Sequence, residues 1–372
     1  MKKTLIALAV LGTTAGVACA QSNVQIYGVI DTGYVKETGT DARMGSSTES
    51  RIGFKGSEDL GRGLKATFEL ERRFNVNDGS LSTNDGIATR SSYHAYDAIH
   101  GLNADWKGVA NVGLAGNWGK VKVGRVNNIA TESYSRLDPF GDYSVGASLT
   151  AAGNLLYSEQ LSNTIRYDSP TWAGFQFGLS FTTQSDDHQI TRPIATPADR
   201  LKSIANHGYN INLQYENGPL LLLGNYYRLA DSDSSDGWNL GMAYTFGTVT
   251  VSLGYQDTDI ESGLTRVYGG LNPLLGGGPK SQKEGILGLQ WQIGPGQLNA
   301  SYNYAKYESV TTDDKAHKFA LGYTYNLSKR TSVYGMASYT DSDNEEIGGI
   351  YNTSHTGRES STAFQLGMNH KF

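Results

Sequence analysis

Side chains able to do chemistry are plentiful in this chain, but their spacing points away from catalysis. Asp186-Asp187-His188 has the donor types of a metal site. It lies in a polar stretch with no partnering cluster, and a solvated loop is the better reading. Gly113, Gly116 and Gly119 spell G-x-x-G-x-x-G, yet the segment reads as a hairpin with no following helix to hold a phosphate. No G-x-S-x-G elbow and no H-E-x-x-H pair occurs. The chain's one cysteine is Cys19, near the N-terminus. No catalytic site, cofactor or metal is expected.

The charged residues follow a different order. Arg51 and Lys55 alternate with Ile52 and Phe54, and Lys65, Thr67, Glu69, Glu71 and Arg73 alternate with Leu64, Ala66, Phe68 and Leu70. Period-two alternation is the mark of a strand with one wet and one greasy face, and charges on one face of successive strands cannot point into a dry core. Val24, Ile26 and Ile30 oppose Gln25 and Asp31 in the same way. Later segments repeat the pattern with uncharged polar partners. Phe175, Phe177, Leu179 and Phe181 oppose Gln176, Ser180 and Thr182, and Tyr209, Ile211, Leu213 and Tyr215 oppose Asn210, Asn212 and Gln214.

These segments need connections, and the connections alternate as well. Short ones rich in turn formers lie at Ser57–Gly63, Gly116–Gly119, Ser169–Gly174, Glu216–Pro219, Phe246–Gly247, Gly294–Gly296 and Asn326–Arg330. Between them come long polar ones at about 35–50, 75–106, 126–163, 183–206, 256–281 and 340–360, with shorter members near 230–236 and 308–316. Short turns on one rim and long loops on the other describe a transmembrane barrel, and the count predicts about sixteen strands, enough for an aqueous lumen. Tyr215, Tyr244, Tyr255, Tyr304 and Tyr325 fall near strand tips, where amphipathic rings suit the headgroup level; their β-propensity alone would also place them in strands.

Composition agrees: glycine (46) and tyrosine (23) are abundant while proline (8) is scarce, favouring strands and tight turns over helices. A net charge of −5, from 31 basic and 36 acidic residues, gives no basic field for nucleic acid. Residues 1–20 carry Lys2-Lys3, the apolar run Leu5 to Leu11, and the small-residue ending Ala18-Cys19-Ala20. That is the pattern of a secretory signal cleaved before Gln21; Gly16 fits a lipoprotein site at Cys19 poorly. The expected organisation is therefore a signal peptide at 1–20 and one barrel domain at 21–372. After residue 20 no apolar run reaches the roughly 18 residues that a membrane helix requires.

Specific segments go further. Val24-Gln25-Ile26-Tyr27-Gly28-Val29-Ile30-Asp31, Ser50-Arg51-Ile52-Gly53-Phe54-Lys55-Gly56-Ser57-Glu58-Asp59-Leu60-Gly61, Asn163-Thr164-Ile165-Arg166-Tyr167-Asp168-Ser169-Pro170 and the terminal His370-Lys371-Phe372 resemble the general porins of Gram-negative bacteria, of the kind found in β-proteobacteria and Neisseria. The resemblance spans the mature chain. It implies an all-β, sixteen-stranded antiparallel transmembrane barrel in the cell outer membrane, assembled as a homotrimer among outer-membrane lipid and lipopolysaccharide. It also implies passive passage of small ions and polar solutes, and a third long loop folded into the lumen as a constriction.

That loop corresponds to roughly Asn127–Asn163, and its Asp138-Pro139-Phe140-Gly141-Asp142 resembles the tip of the family's constriction loop without the usual glutamate. Asp138 and Asp142 are the implied acidic residues, followed by Glu132 and Glu159. Opposite them the family places basic side chains, which parity assigns here to Arg51, Lys55, Lys65, Arg73, Lys122 and Arg166. Facing charges of opposite sign across a narrow gap create a transverse field that orients dipolar solutes; the same charges would also serve to solvate the lumen or to pair along the wall. Two departures stand out. Lys107-Gly108-Val109-Ala110 replaces an arginine at the start of the fourth strand, and Arg125 shares parity with outward Val121 and Val123, so it reaches the lumen only if the strand ends or bulges. In the second long loop, Tyr93-His94-Ala95-Tyr96 corresponds to a segment that latches onto a neighbouring subunit in the family. A channel selective for one substrate class, a barrel adhesin or hydrolase, and a soluble β-sandwich are the competing readings.

Overall fold

The computed structural model describes residues 23–81, 106–141, 143–149, 159–183, 207–228, 236–259, 279–309, 313–343 and 358–372. The expected signal segment, Tyr93-His94-Ala95-Tyr96, Asp142 and Asp186-Asp187-His188 lie outside these residues.

Sixteen wall strands run in chain order among the described residues: β1 (Asn23–Glu37), β2 (Ser50–Gly61), β3 (Leu64–Phe74), β4 (Ala110–Gly116), β5 (Gly119–Asn127), β6 (Gln160–Asp168), β7 (Phe175–Thr182) and β8 (Gly208–Asn217), then β9 (Leu220–Arg228), β10 (Asp236–Phe246), β11 (Val249–Asp259), β12 (Pro279–Ile293), β13 (Gly296–Ser309), β14 (Asp313–Asn326), β15 (Thr331–Ser342) and β16 (Ser360–Lys371). Each pairs antiparallel with its predecessor, and β16 pairs with β1 from Val29 opposite Lys371 to Glu37 opposite Ala363, which closes the sheet. A further three-residue strand, Arg43–Gly45, lies beside β1. The C-terminus completes the closure: Phe372 and Gly28 exchange both backbone hydrogen bonds at 3.1 Å. A side chain at position 28 would collide with the Phe372 ring, which explains a glycine there.

Alternation along the strands sorts side chains inversely to a soluble protein. Leu213, Leu240, Leu253, Leu287, Phe319, Leu321, Phe364 and Leu366 are exposed, whereas Asn210, Asn212, Asn225, Asn239, Gln282, Asn303, Thr340 and Gln365 are buried. An exposed apolar face and an enclosed polar one is the arrangement demanded by hydrocarbon outside and water inside. Aromatic pairs mark both ends of the apolar band. Phe175 with Tyr215 (4.6 Å) and Tyr244 with Phe246 (4.4 Å) stand near the short turns, and Trp238 with Tyr255 (5.5 Å) and Tyr304 with His317 (5.1 Å) stand near the long connections. Two of the tight turns place glycine in the left-handed region, Gly247 at φ 62° and Gly294 at φ 56°.

The connection from β5 to β6 contains the helix α1 (Ile129–Tyr134), continued by a 3₁₀ turn at Ser135–Leu137. Asn128 caps it, its side chain accepting from Ala130 N at 3.1 Å, and Glu132 lies in the first turn. From here the segment crosses the buried face of the wall. Tyr134 and Leu137 pack with Leu221, Leu223, Ala243 and Ile286, Val145 with Val35 and Ala363, and Leu149 with Ala305 and Ala316. Wall glycines make the room: a Cβ at Gly241 or Gly254 would strike Leu137, at Gly288 Pro139, and at Gly322 Phe140. Wall polar groups bind the backbone that passes over them. Ser252 Oγ donates to Leu137 O (2.6 Å), Asn299 Nδ2 to Pro139 O (2.9 Å), Ser338 Oγ to Val145 O (2.7 Å) and Lys318 Nζ to Ala147 O.

The lipid-facing assignment has a direct test. Leu321 is 57% exposed near the middle of β14, and Leu321→Arg is expected to cost about 2–4 kcal/mol, the range for a cation at mid-bilayer on a barrel's lipid face, in denaturant titrations of protein refolded into vesicles.

Candidate functional site

The β5–β6 connection makes its apolar contacts with β1 and with strands from β9 to β16, and the inner face of β2–β6 meets it through charged groups instead. Register brings the charges there into rows. Arg51 faces Arg73, Lys55 faces Glu69, Lys122 faces Arg166, and Lys120 faces Asp168. Most are tied into two clusters, one at each end of the connection.

The first cluster centres on Arg166. Its Nη1 meets Glu132 Oε2 at 2.6 Å and donates to Asn127 O at 2.9 Å, while Nε and Nη2 lie 2.8 Å from Asp168 Oδ1. Lys122 Nζ approaches Asp168 Oδ2 at 3.8 Å. The second centres on Arg73. It meets Glu159 Oε2 at 2.6 Å, Glu71 Oε1 at 3.1 Å, Tyr143 OH at 3.2 Å, and Glu49. Arg51 Nε lies 3.5 Å from Glu71 Oε2, and Lys107 Nζ 3.9 Å from Glu49 Oε1. Tyr27 OH donates to Glu69 (3.0 Å) and Glu71 (3.2 Å), and Lys55 Nζ stands 4.9 Å above the Tyr27 ring. Two wall arginines thus grip the connection through its first and last glutamates. A carboxylate within reach of a guanidinium is the strong class of ion pair, and both arginines are buried, where losing a partner is costly.

Asp138 has a different setting. Its Oδ1 accepts from Phe140 N (2.9 Å) and its Oδ2 from Ser148 N (2.7 Å), so it staples the two limbs of the segment together. Loss of solvent raises its carboxyl above the ordinary range, against the pull of these N–H groups and of Lys318. Asp142 lies outside the described residues. Lys65 is exposed on the inner face, opposite Asp59 in the register. Arg125 is buried; it donates to the carbonyls of Lys107 (2.8 Å) and Gly108 (3.0 Å) and to Ser162 Oγ (2.9 Å). The β5–β6 ladder shifts register beside it, between Gly124 and Val126, where Asn163 has φ 53°.

Several participants were not singled out from sequence. Glu69, Glu71 and Lys120 carry the inward parity of their strands, so the signal was present. Glu49 and Tyr143 lie in connections where parity does not operate. Lys318 shares parity with Ala316 and Ala320, and is wholly buried; only the path of the connection gives it a partner.

Glu132 provides a pH signature. Partial desolvation pushes its carboxyl up, but Arg166, the Asn127 amide and Lys122 pull harder and hold it below the usual carboxylate range. A depressed carboxyl contributes stability that is complete above the unfolded value of about 4.3 and is lost as pH falls through the lower folded value. The melting-temperature gap between wild type and Glu132→Gln should therefore stay constant from neutral pH down to about 5 and close in more acid solution; a gap that closes between pH 5 and 7 would contradict the pairing with Arg166.

The comparisons match this geometry. The model of the family described as Gram-negative porin covers residues 7–345. An outer membrane porin protein of Bordetella pertussis is 30% identical, and outer membrane porin protein 32 of Delftia acidovorans 32% identical, each over the full length of both chains. Among solved structures, the anion-selective porin from Comamonas acidovorans superposes with a TM-score of 0.69 at 25% identity, over 95% of this chain and 100% of that one. Closed sixteen-stranded wall, family model and full-length relatives coincide: the chain belongs to the Gram-negative porin family.

Proposed function

We propose that this outer-membrane porin passes small hydrophilic solutes and ions by diffusion, and that its narrowest section lies between residues 128–149 and the basic inner face of β2–β6. The observation that supports this reading is the contact of that segment with the enclosed polar face of the wall, through Leu137, Pro139, Val145 and Leu149. Substrates need only be small and polar, and the family and fold are those of channels.

The constriction favours anions. On the inward parity of β2–β6, Arg51, Lys55, Lys65, Arg73, Lys120, Lys122 and Arg166 stand against Asp59, Glu69, Glu71 and Asp168, so the unbalanced charge on this wall is positive. The likeness to a porin described as anion-selective supports the same sign. Removal of residues 1–20 on export and assembly as a homotrimer within outer-membrane lipid and lipopolysaccharide complete the proposal.

In planar bilayers the purified protein should give stepwise, ohmic conductance and a reversal potential of anionic sign under a salt gradient. Arg166→Ala should move that potential toward cations, because it removes a wall cation and leaves Glu132 unpaired. Absence of channels would overturn the function, and an unmoved potential the placing of Arg166. Gly241→Val, which forces Leu137 off the wall, should alter single-channel conductance while heat-resistance of the barrel changes little; an unaltered conductance would remove this segment from the permeation path.

A further inference from the structure

The basic wall carries an acid of its own, and its neighbours hold it there. Glu71 lies on β3 within reach of both Arg51 and Arg73. Its Oε1 accepts from Arg73 Nε at 3.1 Å, and its Oε2 accepts from Tyr27 OH at 3.2 Å and lies 3.5 Å from Arg51 Nε. Tyr27 reaches it from β1 because Gly53 leaves space for the ring, which a Cβ at that position would meet at 2.3 Å. Gly108, two residues before β4, closes the other side. A Cβ there would come within 2.4 Å of Glu71 Oε1, and Gly108 N donates to Glu71 O at 3.2 Å. Arg125, buried beside the register shift of β5, donates to the carbonyls of Lys107 and Gly108 and so fixes that stretch of chain.

The grip on the β5–β6 connection does not depend on Glu71. Arg73 holds that segment through Glu159 and Tyr143, and Glu49 meets the same guanidinium. Arg51 stands differently. Its side chain is 31% exposed, and Glu71 is its one carboxylate partner among the described residues. A cation with an anion beside it presents a dipole to the water, and the field of a dipole falls off faster than that of a single charge. The acid therefore decides how much of Arg51 a passing ion meets.

We propose that Glu71 is a specificity-determining residue of the channel, an acid set into the basic wall that limits its preference for anions by neutralising Arg51, and that Tyr27, Gly108 and Arg125 position it. The proposal rests on the reading that solutes pass along the inner face of β2–β6. Its sign follows from charge. Glu71→Gln leaves Arg51 unbalanced and favours anions, whereas Arg51→Gln leaves Glu71 unbalanced on that side and favours cations. A pair with only a structural role predicts the same change from either variant, because either one breaks it.

Reversal potentials of the full-length protein in planar bilayers, under a potassium chloride gradient, test this. At about 0.1 M salt, Glu71→Gln should raise the ratio of chloride to potassium permeability about two- to three-fold, and Arg51→Gln should lower it by a similar factor, as for one unit charge acting through water at about 7 Å. At about 1 M, where the screening length falls to about 3 Å, both ratios should return toward the native one. Glu71→Asp keeps the charge on a shorter side chain and should stay near the native ratio, which separates charge from packing. An unmoved ratio in Glu71→Gln, a shift of the same sign in both glutamine variants, or a Glu71→Asp ratio equal to that of Glu71→Gln would overturn the proposal. Arg166→Ala tells that failure from failure of the underlying reading. If it moves the potential while Glu71→Gln does not, the role of Glu71 alone falls; if neither moves it, the path along this wall falls as well.

Discussion

Every peptide group that enters hydrocarbon must find its hydrogen-bond partner within the protein, and the rest of this structure follows from that constraint. An open sheet would leave two unsatisfied edges, a cost of several kcal/mol for each exposed group. The pairing of β16 with β1 removes both edges, and the mutual bonds of Phe372 and Gly28 extend the closure to the last residue. Once the wall is closed, strand alternation leaves no freedom in what faces where: one parity must meet lipid and the other must meet water.

The same closure creates a polar interior that has to be furnished. Over β7–β16 the inner wall offers carboxamides, hydroxyls and glycines, and the β5–β6 connection uses both properties. Its apolar side chains enter the spaces above Gly241, Gly254, Gly288 and Gly322, while its carbonyls accept from Ser252, Asn299, Ser338 and Lys318. A segment so held has its backbone polar groups satisfied by the wall, which is the condition for irregular chain to persist at membrane depth.

Over β2–β6 the inner wall is charged, and its charges do two kinds of work. Arg166 and Arg73 are consumed largely by structure, each gripping one end of the connection through Glu132 or Glu159. Lysines without such partners are the ones left for the proposed action on passing solutes. Arginine suits the first task because its fork satisfies several acceptors at once, and lysine the second because its charge stays mobile and hydrated.

How much of this was legible in the chain depends on the range of the interaction. Period-two alternation is local, so the sequence by itself determined the strand type, the lipid and lumen faces, the strand count and the inward parity of Arg51, Lys55, Lys65, Arg73, Lys122 and Arg166. A resemblance in a few segments was enough to name the family. Partnership is not local. That Asp138 staples its own segment, that Glu132 and Glu159 are the acids meeting the arginines, that Lys318 lies under Ala147, and that Glu71 meets Arg51 and Arg73 together were decided only by the closed barrel. The physical reason is that register and loop path are set by summing weak contacts over the whole wall, whereas the face a side chain takes is set by its neighbours two residues away.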